Sequence, residues 1–329
     1  MSSAIAHKIG VRVREAGAQA AWRQWARLGA SALQGEDGGA RAIVDPEALL
    51  LLSLYLEPAE RRLRDFAYWW AGVGSQLMSV QRTKTLLKRF PPETEGRLGA
   101  FARQATKAGD KRWRRYASDE PEAGEPEADE ERGVARRSGK GTDRSRLSAP
   151  PALVLRLRAG FGVSAKADVL AYLLGTRERA SSVQETADAT AYSRATVGGA
   201  LGDMARAGFI EETGDRTARY FAPVRPWAQL LTFESGPAGA DRSPAAPAWR
   251  YWSGVFSFLA EADRWARSAE GESDYLLSSR ARDIFIRHQP AFEKNRIEAP
   301  RPEAYRGAAY LEGFEETVDA LIRWLPEHL

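Results

Sequence analysis

SVQETADATAYSRATVGGALGDMARAGFIEETGDRTARYFA, residues 182–222, holds two helical patterns, a turn and a hairpin in close succession. Residues 183–190 predict a short helix, with Ala187 small enough for a close helix crossing. Ala191-Tyr192 make a turn, and Ser193 is a good N-cap for the next helix, because its hydroxyl accepts from an otherwise orphaned amide. Residues 194–207 predict that longer helix, which buries Val197, Leu201 and Met204, spaced i, i+4 and i+7. Gly208 stops it, as glycine does just beyond a helix C-terminus. Residues 209–213 and 216–222 then flank Gly214-Asp215, and a two-residue loop that begins with glycine suits a type II′ hairpin. Upstream, residues 165–174 predict a first helix with Val169, Leu170, Leu173 and Leu174 on one side, joined to the second by a connector over residues 177–182.

With Ala187, the Ser193-Arg194 cap, the Thr196-Val197 pair and the Ala207-Gly208-Phe209-Ile210 exit, this string resembles the winged helix-turn-helix regulators of the MarR and ArsR type. The resemblance covers about a quarter of the chain. It implies three helices plus a β-hairpin wing, with the third helix in the major groove of double-stranded DNA and the wing on the adjacent backbone or minor groove. It also implies a homodimer on two half-sites, since such regulators bind that way. The residues it places against DNA are Ser193, Arg194, Thr196, Gly199 and Arg206 on the third helix, with Arg216 and Arg219 on the wing.

The outward face departs from the usual pattern. Stepping ~100° per residue from Val197, the side opposite the core carries Ala195, Gly199, Gly202 and Arg206, flanked by Gly198 and Asp203. Glycines supply no side-chain donors and each lowers helix propensity by about 1 kcal/mol. Either the bare backbone approaches DNA closely, with affinity from phosphate contacts and shape, or the module docks a protein partner instead.

Residues 151–232 form the central domain of a mainly α chain, flanked by helical domains on both sides. Before it, residues 1–116 read as a basic helical domain in which 20 Lys and Arg face 11 Asp and Glu. Trp22, Trp25, Tyr68, Trp69, Trp70 and Trp113 are its expected aromatic core. Pro46 and Pro58 start new helices, and a last basic helix is expected over residues 97–116. One segment carries Arg82, Lys84, Lys88 and Arg89 around Val80, Leu86 and Leu87, a pattern that serves either as a solvated face or as a secondary nucleic-acid contact. Residues 117–150 read as a disordered charged linker, acidic over 119–131 and basic over 132–146. Within it, GVARRSGKGT (residues 133–142) fails as a phosphate-binding loop, having the wrong glycine spacing and Gly141 where a Ser or Thr should bind magnesium. After the centre, SGPAGADRSPAAPA (residues 235–248) reads as a hinge. Helices over 249–269, 275–288 and 302–325 come next, broken at Pro290 and Pro300–Pro302, in a C-terminal helical domain (residues 233–329) that packs on the first domain or dimerises.

Composition excludes several chemistries. The chain has no cysteine, so disulfides, zinc thiolates and thiol nucleophiles are absent. Its three histidines, His7, His288 and His328, are too scattered in sequence to suggest a metal cluster, and no cofactor is implied. No apolar run approaches the ~20 residues of a membrane span, and the N-terminus lacks the apolar core of a signal peptide, so the expectation is a cytoplasmic protein with no membrane partner. The net charge of +4 is compatible with a nucleic-acid partner without requiring one. One enzyme-like pattern remains. Arg282 and His288, in RDIFIRH, are spaced like the Arg-polar-x-x-x-x-His motif of the HEPN ribonucleases, where the histidine handles a proton and the arginine binds phosphate. A histidine near a helix C-terminus is also favoured by the helix dipole alone.

Overall fold

A computed structural model describes residues 2–30, 42–117, 147–214, 216–231 and 246–329. The predicted linker and hinge lie almost wholly outside the described residues, and residues 133–142 lie entirely outside them. The chain is mainly helical with one small antiparallel sheet. The first flank supplies α1 (Ser2–Arg27), α2 (Pro46–Leu56), α3 (Arg61–Val73), α4 (Val80–Leu87) and α5 (Glu93–Lys107). The centre runs α6 (Leu153–Phe161), α7 (Ala165–Gly175), β1 (Ser181–Ser182), α8 (Val183–Thr190), α9 (Arg194–Arg206), β2 (Glu211–Thr213), β3 (Arg219–Phe221) and α10 (Val224–Leu230). The second flank is α11 (Trp252–Arg267), α12 (Asp274–Asn295) and α13 (Tyr310–His328).

The two flanks share one hydrophobic core. Trp25, Trp70 and Phe101 from one belong to the same cluster as Trp252, Phe258 and Phe314 from the other. The described helices of residues 233–329 pack against the first helices. The reason lies in α1, which crosses α11 so closely that a Cβ on Gly10 would sit 2.7 Å from that of Ala266. Helix α2, apolar except for Glu47, Ser53 and the Tyr55 hydroxyl, is buried along its whole length, as suits a helix at the centre of a bundle. Pro46 begins it and Asp45 caps it, accepting from the Ala48 amide at 3.1 Å. Of the expected aromatic core, Trp25, Trp69, Trp70 and Trp113 are buried, with Trp22 and Tyr68 partly so.

Two boundary expectations are corrected. The basic helix expected over 97–116 is α5 followed, after Gly109 at φ +105°, by a separate 3-10 turn over Lys111–Tyr116 that Asp110 caps. Pro290 does not break α12, which continues to Asn295. Packing overrides the lost hydrogen bond there: Ala291 seats directly against Gly254 of α11, and Phe292 meets Phe258 and Phe285 edge-on.

A second cluster forms the core of the central unit, drawing Val169, Leu173, Val197, Leu201, Met204, Ile210, Tyr220 and Trp227 together. The sheet has the order β1-β3-β2, both pairs antiparallel. Part of the expected connector is therefore a strand. The hairpin is also wider than a two-residue loop, because Thr213 pairs with Arg219 and leaves residues 214–218 between the strands. Its register is held from both sides, since β3 pairs Ser182 with Arg219 on its other edge. Gly214, at φ +100°, is required where it stands, because a Cβ there would lie 2.5 Å from the Thr217 carbonyl oxygen.

Candidate nucleic-acid interface

Helix α8 begins with a reciprocal cap. The Glu185 amide donates to Ser182 Oγ at 3.2 Å, and the Ser182 amide donates to the Glu185 carboxylate at 2.8 Å. It ends at Ala191, which takes the left-handed conformation at φ +58°. Ser193 then caps α9, accepting from the Thr196 amide at 3.1 Å. Beyond the far end, Gly208 at φ +74° closes a Schellman motif in which the Phe209 amide donates to the Met204 carbonyl at 3.0 Å and the Gly208 amide to that of Ala205. The caps at the start of α8 and at both ends of α9 thus arise from short-range chemistry.

The exposed side of α9 carries Arg194, Ala195, Thr196, Gly199, Asp203 and Arg206, with Gly198 and Gly202 half-buried. A Cβ on Gly199 or Gly202 would meet nothing within 4 Å, so internal packing does not demand either glycine. The residues expected against DNA divide into two groups. Arg194 is exposed on the first turn of α9 and Arg216 in the hairpin loop, and neither has an ion-pair or hydrogen-bond partner among the described residues. Arg206, by contrast, pairs with Asp203 at 2.5 Å, and Asp203 also holds Lys166 at 2.9 Å. The hydrogen bond from Lys166, and then its charge, keep the Asp203 carboxyl below its ordinary range. Arg219, half-buried, donates to the Ala180 carbonyl at 2.8 Å and to Glu185 at 2.9 Å. It braces the sheet against α8. Ser193 is engaged as the cap, with Thr196 Oγ1 2.8 Å from its hydroxyl.

The expected secondary basic patch is split. Arg82 is only 2% exposed and belongs to the interior. Lys84 and Lys88 are exposed one turn apart on the side of α4 away from it, and Arg89 is exposed just beyond the helix end. What Arg82 enters is a buried ionic cluster. Its guanidinium donates to Asp45 at 2.5 and 2.7 Å, to Glu47 at 2.6 Å and to the Thr190 carbonyl at 2.9 Å. Arg158 donates to the other side of Glu47 at 2.5 Å and to Asp168 at 2.7 Å through two nitrogens. Tyr192 donates to Asp168 Oδ2 at 3.0 Å and lies 3.1 Å from Ser79 Oγ. Burial alone would raise the Glu47 carboxyl, but the charges of Arg158 and Arg82 outweigh it and hold it at about 2. Burial and the neighbouring Asp168 push the Tyr192 hydroxyl up, so it stays a donor. Sequence reasoning missed this cluster. Its signal was present: Glu47 and Asp168 each sit in a run of apolar residues, where an unpaired charge is untenable.

Arg282 and His288 share no partner among the described residues. Arg282 donates to the carbonyls of Pro302 at 2.8 Å and Tyr305 at 2.7 Å and lies over the Tyr310 ring. His288 is buried edge-on to Phe258, with Nδ1 3.4 Å from Ser257 Oγ and Nε2 3.3 Å from Glu261. No group of metal-ligating side chains occurs among the described residues, and no helix among them is long and apolar enough to cross a membrane. No protein-family profile, curated protein or solved structure matches the chain.

Proposed function

We propose that the central unit is a winged helix-turn-helix that binds double-stranded DNA as a transcription regulator, working as a homodimer on paired half-sites. The observation that carries the reading is the start of α9: a capped helix after a left-handed turn, with Arg194 and Thr196 exposed and Arg194 without a partner among the described residues. The five-residue hairpin loop adds Arg216. With Arg206 paired to Asp203 and Arg219 to Ala180 and Glu185, affinity comes mainly from phosphate contacts at Arg194 and Arg216. Close backbone approach at Gly199 and Gly202 adds to it, with little side-chain reading of bases.

Fluorescence anisotropy with the chain's own upstream DNA, measured over a salt series, tests this. Binding should weaken steeply with salt, and Arg194→Ala and Arg216→Ala should each reduce the slope of log K against log salt by about 0.9. Binding that is absent at low salt, or insensitive to salt, refutes it.

A second reading, a protein-docking module, has its own support. Phe161, Phe209 and Leu230 are large apolar side chains left exposed, and Phe161 and Phe209 line an apolar recess with Leu170 and Met204. A protein captured by the wild type and lost on Phe209→Asp, without DNA binding, would favour it.

A further inference from the structure

The buried ionic cluster joins segments distant in sequence: the start of α2, the start of α4, α6, α7 and the turn between α8 and α9. Two of its contacts act on that turn. Arg82 Nε donates to the Thr190 carbonyl, one of the last four in α8 that no intrahelical amide can reach. The Tyr192 hydroxyl bonds Asp168 of α7 and sits beside Ser79, the residue that caps α4. Between them Ala191 holds φ +58°, a conformation that residues with a Cβ adopt only at an energetic penalty. The turn is therefore held from outside itself. The next residue, Ser193, caps α9, and Arg194 comes directly after it.

We propose that Tyr192 is a positioning residue that, through Ser79 and Asp168, fixes the orientation of α9 relative to the helical bundle, so that DNA meets one rigid body. The role rests on the DNA-binding reading above. Tyr192 itself touches no phosphate in this scheme; it acts through the start of α9. Removing its hydroxyl leaves Asp168 still bonded by Arg158, so the cluster and the fold persist.

The test uses the full chain carrying Tyr192→Phe, with two readouts: amide exchange over residues 190–197, and binding to a duplex selected from a random pool by the wild type, over a sodium chloride series. Exchange in that segment should quicken, and affinity should fall, each about tenfold for loss of one hydrogen bond to a charged acceptor. The slope of log K against log salt should not change, because no phosphate contact is lost. Tyr172→Phe removes another buried hydroxyl of the same unit, 3.3 Å from Ser181 Oγ, without touching the turn, and should bind like the wild type. Unchanged exchange and affinity in Tyr192→Phe, with a wild type that binds, overturn the positioning role and leave the DNA reading intact. A flatter salt slope also overturns it, by making Tyr192 a direct contact. A wild type that binds no duplex at low salt overturns the DNA reading and this role with it.

Discussion

Glu47 lies at the centre of the ionic cluster, completely buried, with a guanidinium on each side at 2.5 and 2.6 Å. Its replacement by glutamine keeps the shape and removes the charge. At neutral pH this should destabilise the protein by about 3–5 kcal/mol, because two buried arginines then share fewer carboxylates and the desolvation of the remaining charges goes uncompensated. A pH series sharpens the prediction. The Glu47 carboxyl is held at about 2 in the folded chain against an ordinary 4.5, which corresponds to about 3 kcal/mol at ~1.36 kcal/mol per pH unit. Because the folded value is the lower one, this stability is fully present above pH 4.5 and is lost as the pH falls toward 2. The assay is guanidinium denaturation followed by tryptophan fluorescence, for wild type and Glu47→Gln side by side between pH 7 and pH 3. The other carboxylates titrate in both proteins, so the gap between the two curves isolates Glu47. It should be widest near neutrality and narrow below pH 4.5. A gap under about 1 kcal/mol at pH 7, or one that stays constant down to pH 3, would refute the view that Glu47 is an ionised, essential member of the cluster.

Other perturbations probe neighbouring parts of the molecule. Gly199→Ala with Gly202→Ala should raise the melting temperature, since each gains about 1 kcal/mol of helix propensity where a Cβ meets open space. The same double variant should bind DNA more weakly; unchanged affinity would exclude close backbone approach. Gly254→Val should destabilise by about 1–3 kcal/mol, because a Cβ there would stand 2.4 Å from that of Ala291; a neutral result in thermal unfolding would mean that α11 and α12 separate easily. Ser193→Ala removes the α9 cap and should lower stability by about 1 kcal/mol, read from the denaturation midpoint.

The docking alternative shares the central unit with the DNA reading but uses another part of its surface. The recess lies toward the C-terminal end of α9, at Asp203, Met204 and Ala207, whereas Arg194 stands at its start. Arg194→Ala and Phe209→Asp therefore address different surfaces of the same unit, and each variant serves as the control for the other.

Features legible in the sequence are those that rest on interactions within a few residues. Ser193 and Gly208 announce the ends of α9 because a cap is made by the chain with its own neighbours. The 3.6-residue spacing of Val197, Leu201 and Met204 likewise tells which side of that helix is buried. Pro46 marks the start of α2 in the same local way. Other features were settled only by tertiary contacts. Arg82 looked like part of a basic surface because Lys84, Lys88 and Arg89 surround it, yet its partners Asp45, Glu47 and Thr190 are up to 108 residues away. Arg219 reads as a free cation on a hairpin until folding brings Ala180 and Glu185 beside it. Pro290 reads as a helix break until Ala291 and Phe292 are seen packed against α11. A charge or a proline carries only its own preference in the sequence. Whether that preference prevails depends on partners that only the folded chain assembles: burial in low dielectric strengthens the ionic contacts of Arg82, and close apolar packing offsets the hydrogen bond lost at Pro290.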